Sequence, residues 1–183
     1  MANSYNSKDI VVLDGLDAVR LRPGMYIGTT GSKGMHHLLW EIVDNGIDEL
    51  SNGFGNKLVV THKDNSITVL DNGRGIPVDK HPKLKVSGVQ VVFTQLHAGG
   101  KFNNANYAYS GGLHGVGASV TNALSEWLKV NVYKDGSKYF MEFSSIAKGK
   151  KVAGGVPLAP LKLMGKTKLS GTEVTFKPDE RIF

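Results

Sequence analysis

The sequence predicts an α+β fold, a two-layer sandwich with helices over one face of a sheet, and three observations carry that prediction. Apolar residues recur at the helical period from Met35 to Gly53. Short β-branched and aromatic runs lie on either side of tight turns. A helical pattern resumes after a glycine-rich run at 111–117. With 183 residues, 40% of them hydrophobic and 21% charged, the chain can bury one sizeable core. No internal repeat and no Ser/Pro/Gly linker divides it, so one domain over residues 1–183 is expected.

The elements follow in order. Between Met35 and Gly53, Leu38, Leu39, Ile42, Val43, Ile47 and Leu50 are spaced three and four apart, which predicts an amphipathic helix. Leu58-Val59-Val60-Thr61 and Ile67-Thr68-Val69-Leu70 flank Asp64-Asn65, a pair of strands joined by a tight turn. Residues 87–97 carry Val89, Val91, Val92, Phe93 and Leu96 and stop at Ala98-Gly99-Gly100, which predicts a helix. From Lys101 to Ser110 the chain is polar and aromatic without an apolar period, the pattern of a mobile loop. Val116 to Leu128 reads as helix. Val130 to Tyr133, the turn Asp135-Gly136, Tyr139 to Phe143 and Glu173 to Phe176 read as strands and their connection.

Composition excludes several chemistries. With zero cysteines there is no disulfide framework, thiolate nucleophile, zinc finger or iron–sulfur ligation. No basic start precedes an apolar run, and no stretch approaches the ~18 apolar residues of a membrane span. Neither export nor membrane insertion is expected. Lys+Arg number 22 and Asp+Glu 16, a net charge of +6. Residues 1–128 carry 11 of each sign, whereas residues 129–183 carry 11 basic and 5 acidic, so the excess lies in the last third. Lys148, Lys150, Lys151, Lys162, Lys166 and Lys168 lack interleaved aromatics and a recognition-helix pattern, and a solvated lysine face is expected there.

Three segments carry the chemistry. On the 35–53 helix, Glu41, Asp44, Asn45 and Asp48 share one face, opposite Leu39, Val43, Ile47 and Leu50. A solvent-exposed amphipathic helix would explain that stripe. In Trp40-Glu41-Ile42-Val43-Asp44-Asn45, however, a carboxylate and a carboxamide sit one turn apart among large apolar residues, and such a pair orients a water and ligates a hard cation through oxygen. Asp71-Asn72-Gly73-Arg74-Gly75-Ile76-Pro77 ends a strand in an acid, then lets backbone approach a flat ligand while Asp71 accepts a hydrogen bond from an amino group. Gly111-Gly112-Leu113-His114-Gly115-Val116-Gly117 precedes a helix and suits a phosphate, yet its spacing is neither a P-loop nor a dinucleotide fingerprint. His114 has no Ser or Asp placed to form a triad with it. His36 and His37 are adjacent, diverge on a helix and cannot form a metal pair.

In this order, Trp40 to Asn45, Asp71 to Pro77, His97-Ala98-Gly99-Gly100-Lys101-Phe102 and Ser110 to Gly117 resemble the N-terminal ATPase domain of bacterial type IIA topoisomerases. Gly15 to Arg20 and Arg22-Pro23-Gly24-Met25-Tyr26-Ile27-Gly28 extend the resemblance over essentially the whole chain. The family has two branches, the gyrase type (GyrB) and the topoisomerase IV type (ParE). Trp40, the segment Asn103 to Tyr107 and the ending Pro178 to Phe183 look slightly more like the second. The wider group is the GHKL ATPases, whose Bergerat fold agrees with the α+β sandwich.

Residue roles come with the resemblance. It implies that Glu41 is the general base that activates the attacking water, and that Asn45 ligates the Mg²⁺ bridging the phosphates of ATP. Asp71 would accept from the adenine amino group, with Gly75 and Thr172 completing the base pocket and Ile76 and Pro77 packing beside the ring. Lys101 and the backbone of Gly112, Leu113, His114, Gly115, Val116 and Gly117 would hold phosphates, and Tyr107 would contact the nucleoside. Arg74 would pair with Glu49 at the pocket edge. The resemblance further implies an arm over residues 1–15 that crosses to a second copy when ATP binds, with Tyr5 reaching the partner's nucleotide. The implied partners are that homodimer, a cleavage subunit of the ParC or GyrA type, and DNA through the full-length enzyme, in the bacterial cytoplasm and with no membrane.

Two departures qualify the resemblance. Lys134 stands where many gyrase-type relatives have Arg, which puts in doubt an aminocoumarin contact by a bidentate guanidinium. The chain also ends before the family's transducer domain and its γ-phosphate-sensing lysine, so the expectation is a fragment that binds nucleotide and turns over slowly. Two other readings compete with the ATPase: a nucleotide-binding switch that does not hydrolyse, and a nucleic-acid-binding module built on the 129–183 lysines.

Overall fold

Two tight turns frame the sheet. Asp64 and Asn65 adopt φ of 50° and 59°, the left-handed pair that a two-residue hairpin needs, and join β1 (Leu58–Lys63) to β2 (Ser66–Asp71). Asp135 (φ 51°) and Gly136 (φ 80°) do the same between β3 (Ser125–Lys134) and β4 (Ser137–Lys148). The computed structural model describes residues 6–10, 13, 15–96 and 117–183. The remaining strands are β5 (Lys151–Pro157), β6 (Lys162–Lys166) and β7 (Gly171–Pro178). They form one sheet of order β1-β2-β7-β3-β4-β5, with β6 also paired to β4, and these pairings are antiparallel.

Period-two alternation makes the sheet two-sided. Val69, Leu128, Val130, Val132, Met141, Phe143, Val174 and Phe176 are buried. Between them, the Thr68 and Thr175 hydroxyls meet at 2.9 Å and Asn131 Nδ2 donates to Glu173 Oε1 at 2.9 Å, cross-strand polar pairs of the other face. Against the apolar face lie α1 (Leu16–Leu21), α3 (Ser32–Ser51), α4 (Gly88–Thr94) and α5 (Gly117–Ala123), with the single-turn α2 (Gly24–Ile27) beside α3. Ser87 caps α4 by accepting from the Gln90 N–H at 3.2 Å, and Phe93 stacks at 5.7 Å from Phe143.

All seven residues of α5 are buried. Its polar side chains therefore satisfy neighbouring backbone: Thr121 donates to the Leu38 carbonyl at 3.1 Å, and Asn122 to those of Phe93 (2.9 Å) and Gly155 (3.3 Å). The end of α5 is held by an ion pair. Arg20 of α1 donates to the Ala123 carbonyl at 2.9 Å and meets Asp179 at 3.0 Å, their side chains 7% and 2% exposed. Arg181 forms a second, two-pronged contact with Asp179 at 2.8 Å on each arm. Asp179 N–H donates to the Leu124 carbonyl.

The α+β prediction holds, with three corrections. The expected 116–128 helix stops at Ala123, and Ser125 onward is strand. Trp127 and Leu128 pair with β4 on one side and β7 on the other, and two ladders outweigh a local helical period. On α3 the buried line runs through Gly34, Leu38, Ile42 and Gly46, and Asp48 is buried too (2% exposed), whereas Ile47 is 44% exposed. The helix packs on α5 as well as on β2 and β7, so its covered face centres on Leu38, Ile42 and Gly46, with Leu39 and Val43 partly buried beside it. The third correction adds β5 and β6, whose lysines and glycines mask the strand period in the sequence. The six lysines named above are exposed, as a solvated face requires, and those on the edge strands deter pairing with another sheet.

Burial alone would raise the Asp179 carboxyl, but the hydrogen bonds from Arg181 and the charges of Arg20 and Arg181 outweigh it and hold the group below the usual carboxylate range. Its stabilisation is present above the unfolded value of about 3.9 and is lost as pH falls through the lower folded value. Asp179→Ala leaves Arg20 buried without its carboxylate and should cost about 3 kcal/mol, read as a lower urea midpoint at unchanged slope. The substituted chain should also lose less stability than the parent on acidification below about pH 4.

Candidate functional site

The approach of α3 to the end of β2 builds the site. Gly46 faces the strands, and a Cβ there would run into the Leu58 side chain and come within 3.5 Å of Asp71 Cβ. The bare backbone at Gly46 thus brings the last turns of α3 onto the Asp71 end of the sheet. Asp71 is 8% exposed and pairs with Thr172 across the β2–β7 ladder. The Gly73 N–H donates to its Oδ1 at 2.9 Å. Burial pushes the Asp71 carboxyl up; the Gly73 hydrogen bond opposes this, the nearby Glu49 charge adds to it, and the Thr172 backbone opposes it again, leaving a net rise.

The loop after Asp71 is tied on both sides. Glu49 takes Arg74 in a two-pronged pair, Nε to Oε2 at 3.1 Å and Nη2 to Oε1 at 2.7 Å, and also accepts from the Arg74 N–H at 3.0 Å. The guanidinium lies 3.6 Å from the centre of the Phe54 ring. Gly75 stands at φ 81°, and the Ile76 N–H donates to Thr172 Oγ1 at 3.2 Å. Ile76 packs against the core and Pro77 beside it is exposed. The expected Glu49–Arg74 pair and the grouping of Asp71, Gly75, Ile76 and Thr172 are therefore both present.

Glu41 lies two turns earlier on α3. A Cβ on Gly117 would strike its carboxylate, so the absence of a side chain at Gly117 lets the first residue of α5 sit directly against Glu41. His37 Nδ1 approaches Glu41 Oε1 at 3.5 Å, one turn back. Asn45, one turn on, is half-buried. The fold thus sets the Glu41 carboxylate against the first residue of α5, with the Asn45 carboxamide one helical turn further along α3. Tyr5, Lys101, Tyr107, Gly112, Leu113, His114, Gly115 and Val116 lie outside the described residues. A separate cleft of about 550 Å³ opens at the other end of α3, between Met35, Leu39, Val60, Ile67 and Phe183.

Sequence reasoning missed two contacts that the fold adds here. Ser170 donates to the Gly73 carbonyl at 2.6 Å, and Lys134 Nζ reaches the carbonyls of Arg74 (3.2 Å) and Gly75 (3.4 Å). Neither residue belongs to a motif; adjacency to Gly171-Thr172 and to the Asp135-Gly136 turn is the available signal.

Residues 30–182 match the family described as histidine kinase-, DNA gyrase B-, and HSP90-like ATPase. The chain belongs to this ATPase family. Among its relatives, the B subunit of DNA gyrase from Spiroplasma citri is 58% identical over 184 residues, covering 100% of this chain and 28% of that protein. The B subunit of DNA topoisomerase 4 from Staphylococcus aureus is 56% identical over 182 residues, covering 99% of this chain and 26% of that protein. The crystal structure of the 43K ATPase domain of Thermus thermophilus gyrase B in complex with an aminocoumarin superposes with a TM-score of 0.75 at 42% identity, covering 92% of this chain and 40% of that one. The chain spans a little over a quarter of the length of these curated relatives. The two topoisomerase branches match at almost equal identity. Among the described residues no helix is long and apolar enough to cross a membrane.

The raised Asp71 carboxyl sets a sign opposite to that of Asp179. Stability associated with its protonated form is fully present below the unfolded value of about 3.9 and is lost as pH rises through the higher folded value. In this ATPase-family domain Asp71→Asn should therefore raise the urea midpoint at pH 7, and the gain should shrink as pH is lowered towards 3.

Proposed function

We propose that the chain is the ATP-binding and ATP-hydrolysing domain of a type II DNA topoisomerase of the gyrase B and topoisomerase IV kind. The observation that carries this reading is the placement, along one helix, of two acids with separate tasks: Glu41 against Gly117 at the glycine-rich run, and Glu49 beside the loop that follows the buried Asp71. The names of the relatives support it.

Asp71 accepts from the exocyclic amino group of adenine, and Thr172 and Gly75 bound the base. Glu41 takes the proton of a water as its oxygen attacks the γ-phosphorus in line. The bond from that phosphorus to the β–γ bridging oxygen breaks, ADP leaves, and the proton passes on to solvent with the product phosphate. The donor chemistry suits Mg²⁺: Asn45 offers a neutral side-chain oxygen one turn from Glu41, and the ion would be held by it together with substrate phosphates. When bound there, Mg²⁺ offsets phosphate charge. Lys101, Tyr107 and the backbone from Gly112 to Gly117 complete the phosphate and nucleoside contacts.

In the longer protein, ATP bound between two copies stabilises a closed dimer, with residues 1–15 as the exchanged arm and Tyr5 at the partner's nucleotide. That dimer gates DNA strand passage with a cleavage subunit of the A type in the bacterial cytoplasm.

Calorimetry with a non-hydrolysable ATP analogue, with and without Mg²⁺, tests the pocket. The chain should bind and Asp71→Ala should lose binding; no binding by the parent chain overturns the reading. Glu41→Gln in the full-length protein should keep binding while turnover falls by about 10²-fold or more. Unchanged turnover would instead make the domain a non-hydrolysing switch.

A further inference from the structure

Three consecutive carbonyls of the loop after Asp71 are each held by a side chain from outside it. Ser170 Oγ donates to Gly73 O at 2.6 Å, and Lys134 Nζ reaches Arg74 O at 3.2 Å and Gly75 O at 3.4 Å. The N–H groups of the same stretch are also taken, Gly73 by Asp71, Arg74 by Glu49 and Ile76 by Thr172. The loop is thus pinned through its carbonyls and through its N–H groups. Lys134 ends β3 and Ser170 precedes β7, adjacent strands paired through Tyr133 and Gly171, so both donors are anchored in the sheet.

Glycines at 73 and 75 give this stretch a large choice of backbone conformations, and a flat ligand binds well only when one of them is already populated. An ammonium at the Arg74 and Gly75 carbonyls and a hydroxyl at the Gly73 carbonyl select that conformation before any ligand arrives. We propose that Lys134 and Ser170 are positioning residues for nucleobase recognition: they hold the Gly73–Ile76 loop in register with Asp71 and set how well the site separates adenine from other bases. This inference rests on the assignment of adenine to Asp71. Arg in its place can donate to the same two carbonyls, whereas a residue without a donor cannot.

The test measures dissociation constants of non-hydrolysable ATP and GTP analogues for the chain and for Lys134→Met, Ser170→Ala and Lys134→Arg, with urea midpoints as the control for folding. Lys134→Met and Ser170→Ala should each weaken the adenine analogue at least fivefold while the guanine analogue changes less than twofold, narrowing the ratio between them. Lys134→Arg should restore the parent ratio to within twofold. In the full-length protein KM for ATP should rise by the same factor as the dissociation constant, with kcat at saturation much less affected. Equal losses for both bases, unshifted adenine affinity in both variants, or failure of Lys134→Arg to restore the ratio would each overturn the inference while leaving the Asp71 reading intact. If the parent chain binds no adenine analogue, the Asp71 reading fails and the inference falls with it.

Discussion

Everything at the site depends on how closely α3 can lie on its neighbours, and that distance is set by two missing side chains. Without a Cβ at Gly46, the helix rests on Leu58 and Asp71; without one at Gly117, α5 begins against the Glu41 carboxylate. The separation of packed helices follows the size of the side chains at the contact. Closer contact lets the acids of α3 reach two different neighbours, Glu41 the start of α5 and Glu49 the backbone of the loop after β2. One rigid rod of 20 residues therefore indexes both ends of the site. The spacing between them is as fixed as the helical rise.

Two buried aspartates illustrate how the same side chain is put to opposite uses. Asp179 sits between two guanidiniums, and its charge is the reason for its burial: it locks α1, the end of α5 and the chain after β7 together. Asp71 is surrounded instead by backbone N–H groups and a neighbouring acid, and its ionised form is disfavoured. A structural position would remove that penalty by substitution. Under the proposed assignment of adenine to Asp71 the penalty is kept, because an under-compensated acceptor gives a complementary donor its advantage.

Much of this is legible in the sequence where local chemistry and tertiary structure agree. Asp64-Asn65 and Asp135-Gly136 demand left-handed backbone, and both turn where expected. The apolar period identifies α3, and Glu49 and Arg74 form the pair expected of them. Legibility fails where a long-range partner decides the outcome. Trp127 and Leu128 follow a helical pattern locally but are claimed by strands on both sides. Asp48 falls on the polar stripe of the helical wheel yet is 2% exposed, a burial that the pattern of a single helix does not encode. Ser170 carries no signal beyond its adjacency to Gly171-Thr172; its partner is a carbonyl 97 residues away in the chain.

The position of β7 in the sheet has a consequence for how the protein is made. Among the described residues it is the last strand in chain order, yet it lies between β2 and β3 and joins the β1–β2 hairpin to the β3–β4–β5 group. Until residues 171–178 have left the ribosome, the emerging polypeptide holds two half-sheets with no shared ladder, each with an open edge awaiting a neighbour. Local hairpins can form early, but the continuous core cannot, and its closing contacts join segments about a hundred residues apart. Synthesis of this domain therefore passes through a long interval of exposed strand edges, the interval in which chaperone capture and misassociation compete with folding.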